Sequence, residues 1–245
     1  MNLKELAARQ ALQYVQSGMT LGLGSGSTTA YFTDLLGEQL QKGVLRSIQV
    51  VPTSDSSAAR ARLQGIPVTT LAGIARHRLS PPLLDLAVDG ADEVDPHLNL
   101  IKGLGQALLR EKIVEIHAQH FIVIVDESKK VSHLGSKCPL PVEILPFEAE
   151  MHISWLSSLG CRAELWYEDN GSPVVTDNGN NLALCHFETG IPDPYLLARE
   201  MADRPGIIEH GLFLDMASLV IVAGVGGIDM MRSDRAGNLE VGHGG

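Results

Sequence analysis

Short apolar runs and amphipathic stretches alternate along the first half of the chain. Apolar residues recur at helical spacing over residues 3–15, and Ser17-Gly18 ends this pattern. Because alternating strands and helices are typical of a parallel sheet covered by helices on both faces, the pattern predicts an α/β fold with ligands at the carboxyl ends of the strands. The predicted strands are 19–23, 47–51, 66–71, 84–88 and 121–125, and the predicted helices are 3–15, 30–41, 56–63 and 105–117.

The pattern changes near Gly135. Two strands, at 173–177 and 180–187, are joined by Asn178-Gly179, which is a strong hairpin signal because both residues tolerate positive φ. Asp193-Pro194 predicts the start of a helix that runs to residue 203. The pattern therefore predicts α+β structure with antiparallel pairing. Further extended segments are predicted at 139–144 and 163–167, and a further helix at 148–159.

These patterns predict a small domain inserted into a larger one. Residues 135–208 are interpreted as the smaller α+β domain, and residues 1–134 and 209–231 as the main domain. Within the second part of the main domain, residues 211–213 and 218–223 are predicted to return to the parallel sheet. The polar, glycine-rich tail 232–245 is predicted to be flexible.

Charge and cysteine usage exclude several classes of protein. A formal net charge of −10 argues against binding to nucleic acid or to an anionic membrane, so an anionic substrate needs a local cluster of cations and backbone N–H groups. The cysteines, Cys138, Cys161 and Cys185, form no Cys-x-x-Cys pair, which argues against a disulfide framework and a zinc knuckle and favours the cytoplasm. No stretch has the pattern of a signal peptide or a membrane span.

A glycine-rich loop follows the first predicted strand. It reads Gly-Ser-Gly-Ser-Thr-Thr over residues 24–29 and leads into a helix. Glycines let the backbone approach a bound group, and the N–H groups at the start of a helix favour an anion, so a phosphate is the natural occupant. The spacing matches neither the Walker A motif nor the dinucleotide-binding fingerprint. A plain glycine-rich turn with a Ser or Thr helix cap is the alternative.

An acidic turn follows the predicted strand 84–88. It carries Asp89, Asp92 and Glu93, and Lys102 and Glu111 come soon after it. Carboxylates crowded beside an ammonium group can differ in pKa, so that one acts as a base while others donate protons or orient the substrate. The alternative is ordinary Asp-Gly turn chemistry in a solvated loop.

Two further charged residues allow a functional and a simpler interpretation. Glu111 lies off the apolar stripe formed by Leu109, Ile113 and Ile116, so the simpler interpretation puts it on a solvated helical face. Lys129 follows the predicted strand 121–125, where an anionic substrate could meet it, and simple solvation is again the alternative.

Together these motifs resemble ribose-5-phosphate isomerase type A. They run in the order of that family over nearly the whole chain, and their combination is far more specific than any one of them. The matching stretches are 24–28, 53–56, 88–93, 101–105, 110–113, 128–129, 140–143 and 175–180.

The resemblance implies a Rossmann-like main domain, a small domain that contributes to oligomer contacts in a homodimer or homotetramer, and interconversion of ribose 5-phosphate and ribulose 5-phosphate in the pentose phosphate pathway. It implies Glu111 as the general base on an enediol(ate) pathway, with no metal and no cofactor. Asp89 and Asp92 would handle hydroxyl protons and ring opening, and Lys102 would stabilise negative charge. The substrate-binding residues it implies are Ser25, Gly26, Ser27, Thr28, Asp89, Gly90, Ala91, Asp92, Lys102, Gly103, Leu104, Gly105 and Lys129.

The sequence departs from the family pattern at two positions. Ser25 stands where threonine is common, which keeps the hydroxyl group. Leu104 interrupts what is commonly a run of three glycines after the lysine. A side chain there is expected to narrow the site or to force a different backbone conformation.

Two other functions fit parts of the pattern. A sugar-phosphate sensor on the same scaffold is expected to carry a DNA-binding helix-turn-helix and to lack the base, whereas Glu111 is present. A metal-dependent isomerase or hydrolase would use Asp89, Asp92, Glu93 and Asp95 around Mg²⁺, although their spacing does not fit the calcium-binding loop.

Overall fold

The computed structural model describes residues 2–78, 80–233, 239 and 241. These residues form two compact units. The first contains the chain up to Gly90, Arg110–Ser128 and the chain from Met216 onward, and the second contains Ala91–Leu109 and Lys129–Asp215. The predicted domain boundaries, 1–134 with 209–231 and 135–208, stay a prediction about folding domains.

Helices and strands alternate over the first part of the chain, as the sequence predicts. The helices are α1 (Leu3–Leu12), α2 (Ser27–Gln41), α3 (Asp55–Leu63), α4 (Leu71–Ala75), α5 (Leu108–Glu115), α6 (Ala149–Ser157) and α7 (Pro194–Ala202), with a 3₁₀ turn at Glu127–Lys129. The strands are β1 (Thr20–Leu23), β2 (Gln49–Pro52), β3 (Leu84–Asp89), β4 (Glu93–Val94), β5 (Leu100–Ile101), β6 (Ala118–Asp126), β7 (Leu140–Ile144), β8 (Arg162–Leu165), β9 (Asn181–His186), β10 (Ile207–His210), β11 (Leu212–Phe213), β12 (Leu219–Gly224) and β13 (Gly227–Arg232).

The first unit is built on a six-stranded sheet with the order β13-β12-β6-β3-β1-β2. All neighbouring strands are parallel except β12 and β13, which are antiparallel. Residues 121–125 of β6 and 219–223 of β12 are continuous apolar runs because both faces of the sheet are covered. One face packs on a core that includes Ala7, Phe32 and Leu86. Val51, Leu84 and Val114 form a second, smaller apolar cluster. This arrangement confirms the predicted α/β class with a Rossmann-like parallel sheet.

The second unit is α+β and mainly antiparallel. Its larger sheet has the order β10-β7-β9-β8, and its smaller sheet has the order β11-β5-β4. Leu140, Val142 and Ile144 of β7 enter an apolar core that also contains Leu156 and Met201. Asp193 caps α7, as predicted, because its side chain accepts hydrogen bonds from the N–H groups of the first turn.

Three predicted strands are wrong in extent or in partner. Residues 66–71 form a single bridge from Val68 to Val50, because Thr70 caps α4 instead of extending a strand. Residues 173–177 also form only isolated bridges. Residues 211–213 do not return to the parallel sheet, because β11 pairs antiparallel with β5.

Two remaining predictions concern the tail and membranes. Arg232, where the predicted flexible tail begins, is the last residue of β13, and most of residues 234–245 lie outside the described residues. Among the helices that the structure describes, none is long and apolar enough to cross a membrane.

The central strand β3 provides a test of the core. Leu86 is 1% exposed in that strand, whereas Leu63 at the end of α3 is 84% exposed. We expect Leu86→Ala to lower the free energy of unfolding by about 2–5 kcal/mol, because it leaves a cavity. Leu63→Ala is the control and should change it by less than about 0.5 kcal/mol. Denaturant unfolding measures both, and equal midpoints would contradict the placement of Leu86 in the core.

Candidate active site

Asp89 is the last residue of β3 and is 1% exposed. Its Oδ1 accepts hydrogen bonds from the backbone N–H groups of Gly90 (2.7 Å) and Ser25 (3.0 Å) and from the Thr29 hydroxyl (3.1 Å). A Cβ on Gly24 would lie 1.9 Å from Asp89 Cγ, so only glycine fits beside this carboxylate. The carboxylate is therefore fixed in orientation by the loop that the sequence predicts to bind a phosphate.

The glycine loop and the start of α2 form a cluster of hydrogen-bond donors. Gly26 has a φ of 91° and precedes Ser27, the first residue of α2, and no side chain among the described residues caps this helix. Lys4 Nζ donates a hydrogen bond of 2.7 Å to Ser27 Oγ. The exposed N–H groups of a helix start, with a nearby ammonium group, favour an anion. The predicted residues Ser25 to Thr28 lie together at this point of the first unit.

The predicted site residues do not include three residues of this cluster. Ser25 Oγ lies 2.8 Å from Thr53 Oγ1 and 2.7 Å from Ser54 Oγ. Thr53 and Ser54 follow β2, whose neighbour β1 leads into the glycine loop, so the rule that ligands bind at the carboxyl ends of parallel strands could have identified them. Lys4 is on the first turn of α1, and no local signal in the sequence marks it.

Glu111 is 4% exposed, which contradicts the simpler interpretation that puts it on a solvated helical face. The apolar residues that were expected inside, Ile113 and Ile116, are instead 43% and 62% exposed. Glu111, Val114 and Glu115 form the buried side of α5, at helical spacing. Burying a carboxylate is costly, whereas burying isoleucine is favourable, so this face of the helix is not arranged for stability alone.

In the second unit, Asp92 and Lys102 lie at the ends of the paired strands β4 and β5. The Asp92 N–H donates to the Ile101 carbonyl at 2.8 Å, and the Lys102 N–H donates to the Gly211 carbonyl at 2.9 Å. Lys102 is 2% exposed, and its Nζ lies 5.3 Å from the centre of the Phe213 ring. The backbone therefore holds the carboxylate and the ammonium-bearing residue in a fixed register.

The loop after Lys102 contains Leu104, which departs from the family pattern. Gly103 has a φ of 112°, and a Cβ there would lie 2.7 Å from Leu108 Cδ2, so this position requires glycine. Leu104 is not among the residues with positive φ, and its N–H donates to Asp92 Oδ2 at 3.0 Å. Leu104 itself therefore has no positive φ, and the expectation that its side chain narrows the site stays a prediction. Its contact with Asp92 uses the backbone, which any residue other than proline supplies.

Glu93 and Asp95, two carboxylates of the alternative Mg²⁺ site, accept hydrogen bonds from groups of the protein. Glu93 accepts hydrogen bonds from the N–H groups of Gly135, Lys137 and Cys138. Asp95 accepts from the N–H groups of residues 97 and 99 and from the Asn99 side chain. Within residues 2–78, 80–233, 239 and 241, no group of three His, Cys, Asp or Glu side chains could hold a metal ion. The geometry therefore gives no support to the alternative of an Mg²⁺ site.

The predicted site residues divide between the two units. Lys129 ends the 3₁₀ turn after β6 and is partly exposed. The first unit holds Ser25, Gly26, Ser27, Thr28, Asp89, Gly90 and Glu111, and the second holds Ala91, Asp92, Lys102, Gly103, Leu104, Gly105 and Lys129.

Sequence comparisons match this chain to one family of known proteins. The family model of ribose 5-phosphate isomerase A (phosphoriboisomerase A) matches residues 49–227. The chain is 50% identical over 222 residues to ribose-5-phosphate isomerase A of Roseiflexus castenholzii, which covers 91% of this chain and 92% of that protein. It is 46% identical to probable ribose-5-phosphate isomerase 2 of Arabidopsis thaliana, over 92% of this chain and 84% of that one.

Solved structures give the same result. A D-ribose-5-phosphate isomerase in complex with phospho-erythronic acid aligns with a TM-score of 0.88 and 44% identity, covering 95% of this chain and all of that one. The ribose 5-phosphate isomerase of Plasmodium falciparum aligns with a TM-score of 0.88 and 35% identity, covering 95% and 98%. The chain therefore belongs to the ribose 5-phosphate isomerase A family.

Proposed function

We propose that this chain interconverts ribose 5-phosphate and ribulose 5-phosphate with Glu111 as the general base. The observation that carries the proposal is the burial of the Glu111 carboxylate on a helix that exposes Ile113 and Ile116. A protein that only senses a sugar phosphate has no need of such a base. Membership of the family supports the same reaction, an aldose–ketose isomerisation.

The reaction moves one proton between neighbouring carbons. Glu111 takes the proton from C2 of the open-chain aldose, the electron pair of that C–H bond forms the C1–C2 double bond, and the π pair of the C1 carbonyl moves onto O1 to give an enediolate. The protonated Glu111 then returns the proton to C1 while the C2 hydroxyl loses its proton and becomes the C2 carbonyl, and O1 takes up a proton, which gives the ketose. Asp89 and Asp92 handle the hydroxyl protons and ring opening, and the Lys102 ammonium group stabilises the negative charge on oxygen.

The glycine loop and Lys4 hold the phosphate. The N–H groups at the start of α2, the hydroxyls of Ser25 and Ser27 and the Lys4 ammonium group are the donors that a phosphate requires. Lys129 supplies a second cation. The small residues Gly90, Ala91, Gly103 and Gly105, with the backbone of Leu104, bind the sugar. A local cluster of this kind draws an anionic substrate despite the net charge of −10.

The proposal also covers the small-molecule partner, the oligomeric state and the cellular location of the protein. Family membership supports a sugar phosphate as the small-molecule partner. We propose a homodimer or homotetramer and a cytoplasmic location, and the three free cysteines are consistent with a reducing compartment. One Arabidopsis relative is named chloroplastic, so the compartment differs between members of the family.

The role of Glu111 can be tested by removing its charge. We expect Glu111→Gln to lower kcat by about 10² to 10⁴, because a positioned general base contributes that much. Proton NMR in D₂O follows ribulose 5-phosphate formation by EDTA-treated protein. Glu38→Gln on α2 is the control, because that side chain is 52% exposed. Wild-type kcat in Glu111→Gln would contradict the assignment, and a requirement for Mg²⁺ in the parent would contradict the metal-free mechanism.

The loop after Lys102 offers a matched pair of variants. We expect Gly103→Ala to lower kcat/KM by about tenfold or more, because it strains a positive-φ position and pushes on Leu108. Leu104→Gly keeps the N–H that binds Asp92 and should stay within about threefold of the parent. Steady-state kinetics on both variants make the comparison. The reverse order of effects would show that the Leu104 side chain, and not its backbone, matters.

Phosphate binding can be tested at Lys4. We expect Lys4→Met to raise KM for ribose 5-phosphate about tenfold with little change in kcat, since a charge-assisted hydrogen bond to the phosphate acts equally in the ground and transition states. Lys42→Met is the control, because Lys42 is 61% exposed and pairs with Glu38. Equal KM values in the two variants would show that Lys4 does not bind the phosphate.

A further inference from the structure

Glu93 is a fully buried carboxylate that accepts hydrogen bonds from three backbone N–H groups. Its Oε2 accepts a hydrogen bond of 2.6 Å from the Gly135 N–H. Its Oε1 accepts from the N–H groups of Lys137 (2.6 Å) and Cys138 (2.8 Å). Short bonds from three amides offset the cost of removing a charge from water. Both oxygens are thereby engaged with one segment, residues 135–138.

This segment belongs to a loop that is fastened to β4 at two points. At its start, the Val131 N–H donates to the Val94 carbonyl at 2.9 Å, and Lys130 forms a parallel bridge with Val94. At its end, Glu93 binds residues 135–138. The Lys137 ammonium group closes the loop further by donating to the Lys130 carbonyl at 2.8 Å. The two residues of β4 therefore hold the whole stretch that follows Lys129.

The same two residues of β4 adjoin Asp92 and Lys102. Asp92 precedes Glu93 in the chain, and Glu93 pairs with Ile101, the residue before Lys102. Burial raises the pKa of Cys138, and the negative charges of Glu93 and Asp92 raise it further, whereas Lys129 lowers it.

We propose that Glu93 is a positioning residue of the isomerase site, which fixes Asp92 and Lys102 relative to Lys129 through the backbone amides of residues 135–138. The proposal rests on the proposed function of the chain. Glu93 itself is enclosed by these amides and acts only through the residues that it holds. A misplacement of about 1 Å at a reacting group costs about 10² in rate, so such a support affects catalysis.

A second buried carboxylate provides the matched control. Glu143 is also fully buried in the second unit, and its Oε1 accepts hydrogen bonds from the Thr176 hydroxyl and the side-chain amides of Asn178 and Asn180. These partners lie in the hairpin between Pro173 and Asn181. Glu93→Gln and Glu143→Gln therefore make the same chemical change at equal burial, and only the first is next to proposed catalytic residues.

The experiment measures kcat, KM and denaturation midpoint for the parent and both variants. We expect Glu93→Gln to lower kcat about tenfold to a hundredfold, and to lower it at least about tenfold more than Glu143→Gln does. In the background of Asp92→Asn, Glu93→Gln should cost less than it does alone, because the two residues act through one another. Glu93→Asp keeps the charge and should recover part of the lost kcat. If Glu93→Gln does not fold, Glu93→Asp takes its place in the comparison.

Hydrogen exchange gives a readout that does not depend on activity. The amides of Gly135, Lys137 and Cys138 should be protected in the parent and should exchange faster in Glu93→Gln but not in Glu143→Gln. An inactive parent overturns the proposed function and the positioning role with it. An active parent with equal kcat losses in the two variants, or with wild-type kcat in Glu93→Gln, overturns the positioning role alone.

Discussion

Asp89, Asp92 and Glu93 each accept hydrogen bonds from backbone N–H groups. A carboxylate that leaves water must find donors, and a chain with few cations can supply them most cheaply from its own backbone. This requirement determines how the loops around the acidic turn are built. N–H groups of the glycine loop bind Asp89, an N–H group of the loop after Lys102 binds Asp92, and N–H groups of residues 135–138 bind Glu93.

Because the donors are backbone groups, the side chains at the donor positions are free to vary. The two departures from the family pattern, Ser25 and Leu104, both fall at such positions. The Ser25 N–H binds Asp89 and the Leu104 N–H binds Asp92, so neither substitution removes the contact that holds a carboxylate. Side chains are not free to vary where the backbone lies very close to neighbouring atoms. Gly24 and Gly103 would collide with neighbours if they carried a Cβ, and both are glycine here.

Sequence patterns predicted those parts of the fold that are local and apolar. Residues 86–88 of β3 and 121–125 of β6 are continuous buried apolar runs, and the loop that follows β1 has glycines and hydroxyls in sequence. The pairs β4–β5 and β5–β11 were missed because two-residue strands leave no periodicity, and their pairing joins residues such as Ile101 and Leu212 that are far apart in the chain. Lys4 reaches the glycine loop only through the packing of α1, which no local pattern encodes.

The orientation of α5 shows where such patterns fail for a physical reason. Periodicity assumes that a helix turns its apolar residues inward, and this rule holds when stability alone selects the sequence. Here Ile113 and Ile116 are largely exposed while Glu111 and Glu115 are buried. Reversing these positions would bury more apolar surface and no charge, so the present arrangement is less stable than the helix could be. The proposed reaction needs a carboxylate that is shielded from water, and this need explains the lower stability. The periodicity rule therefore fails at the residues that take part in the chemistry.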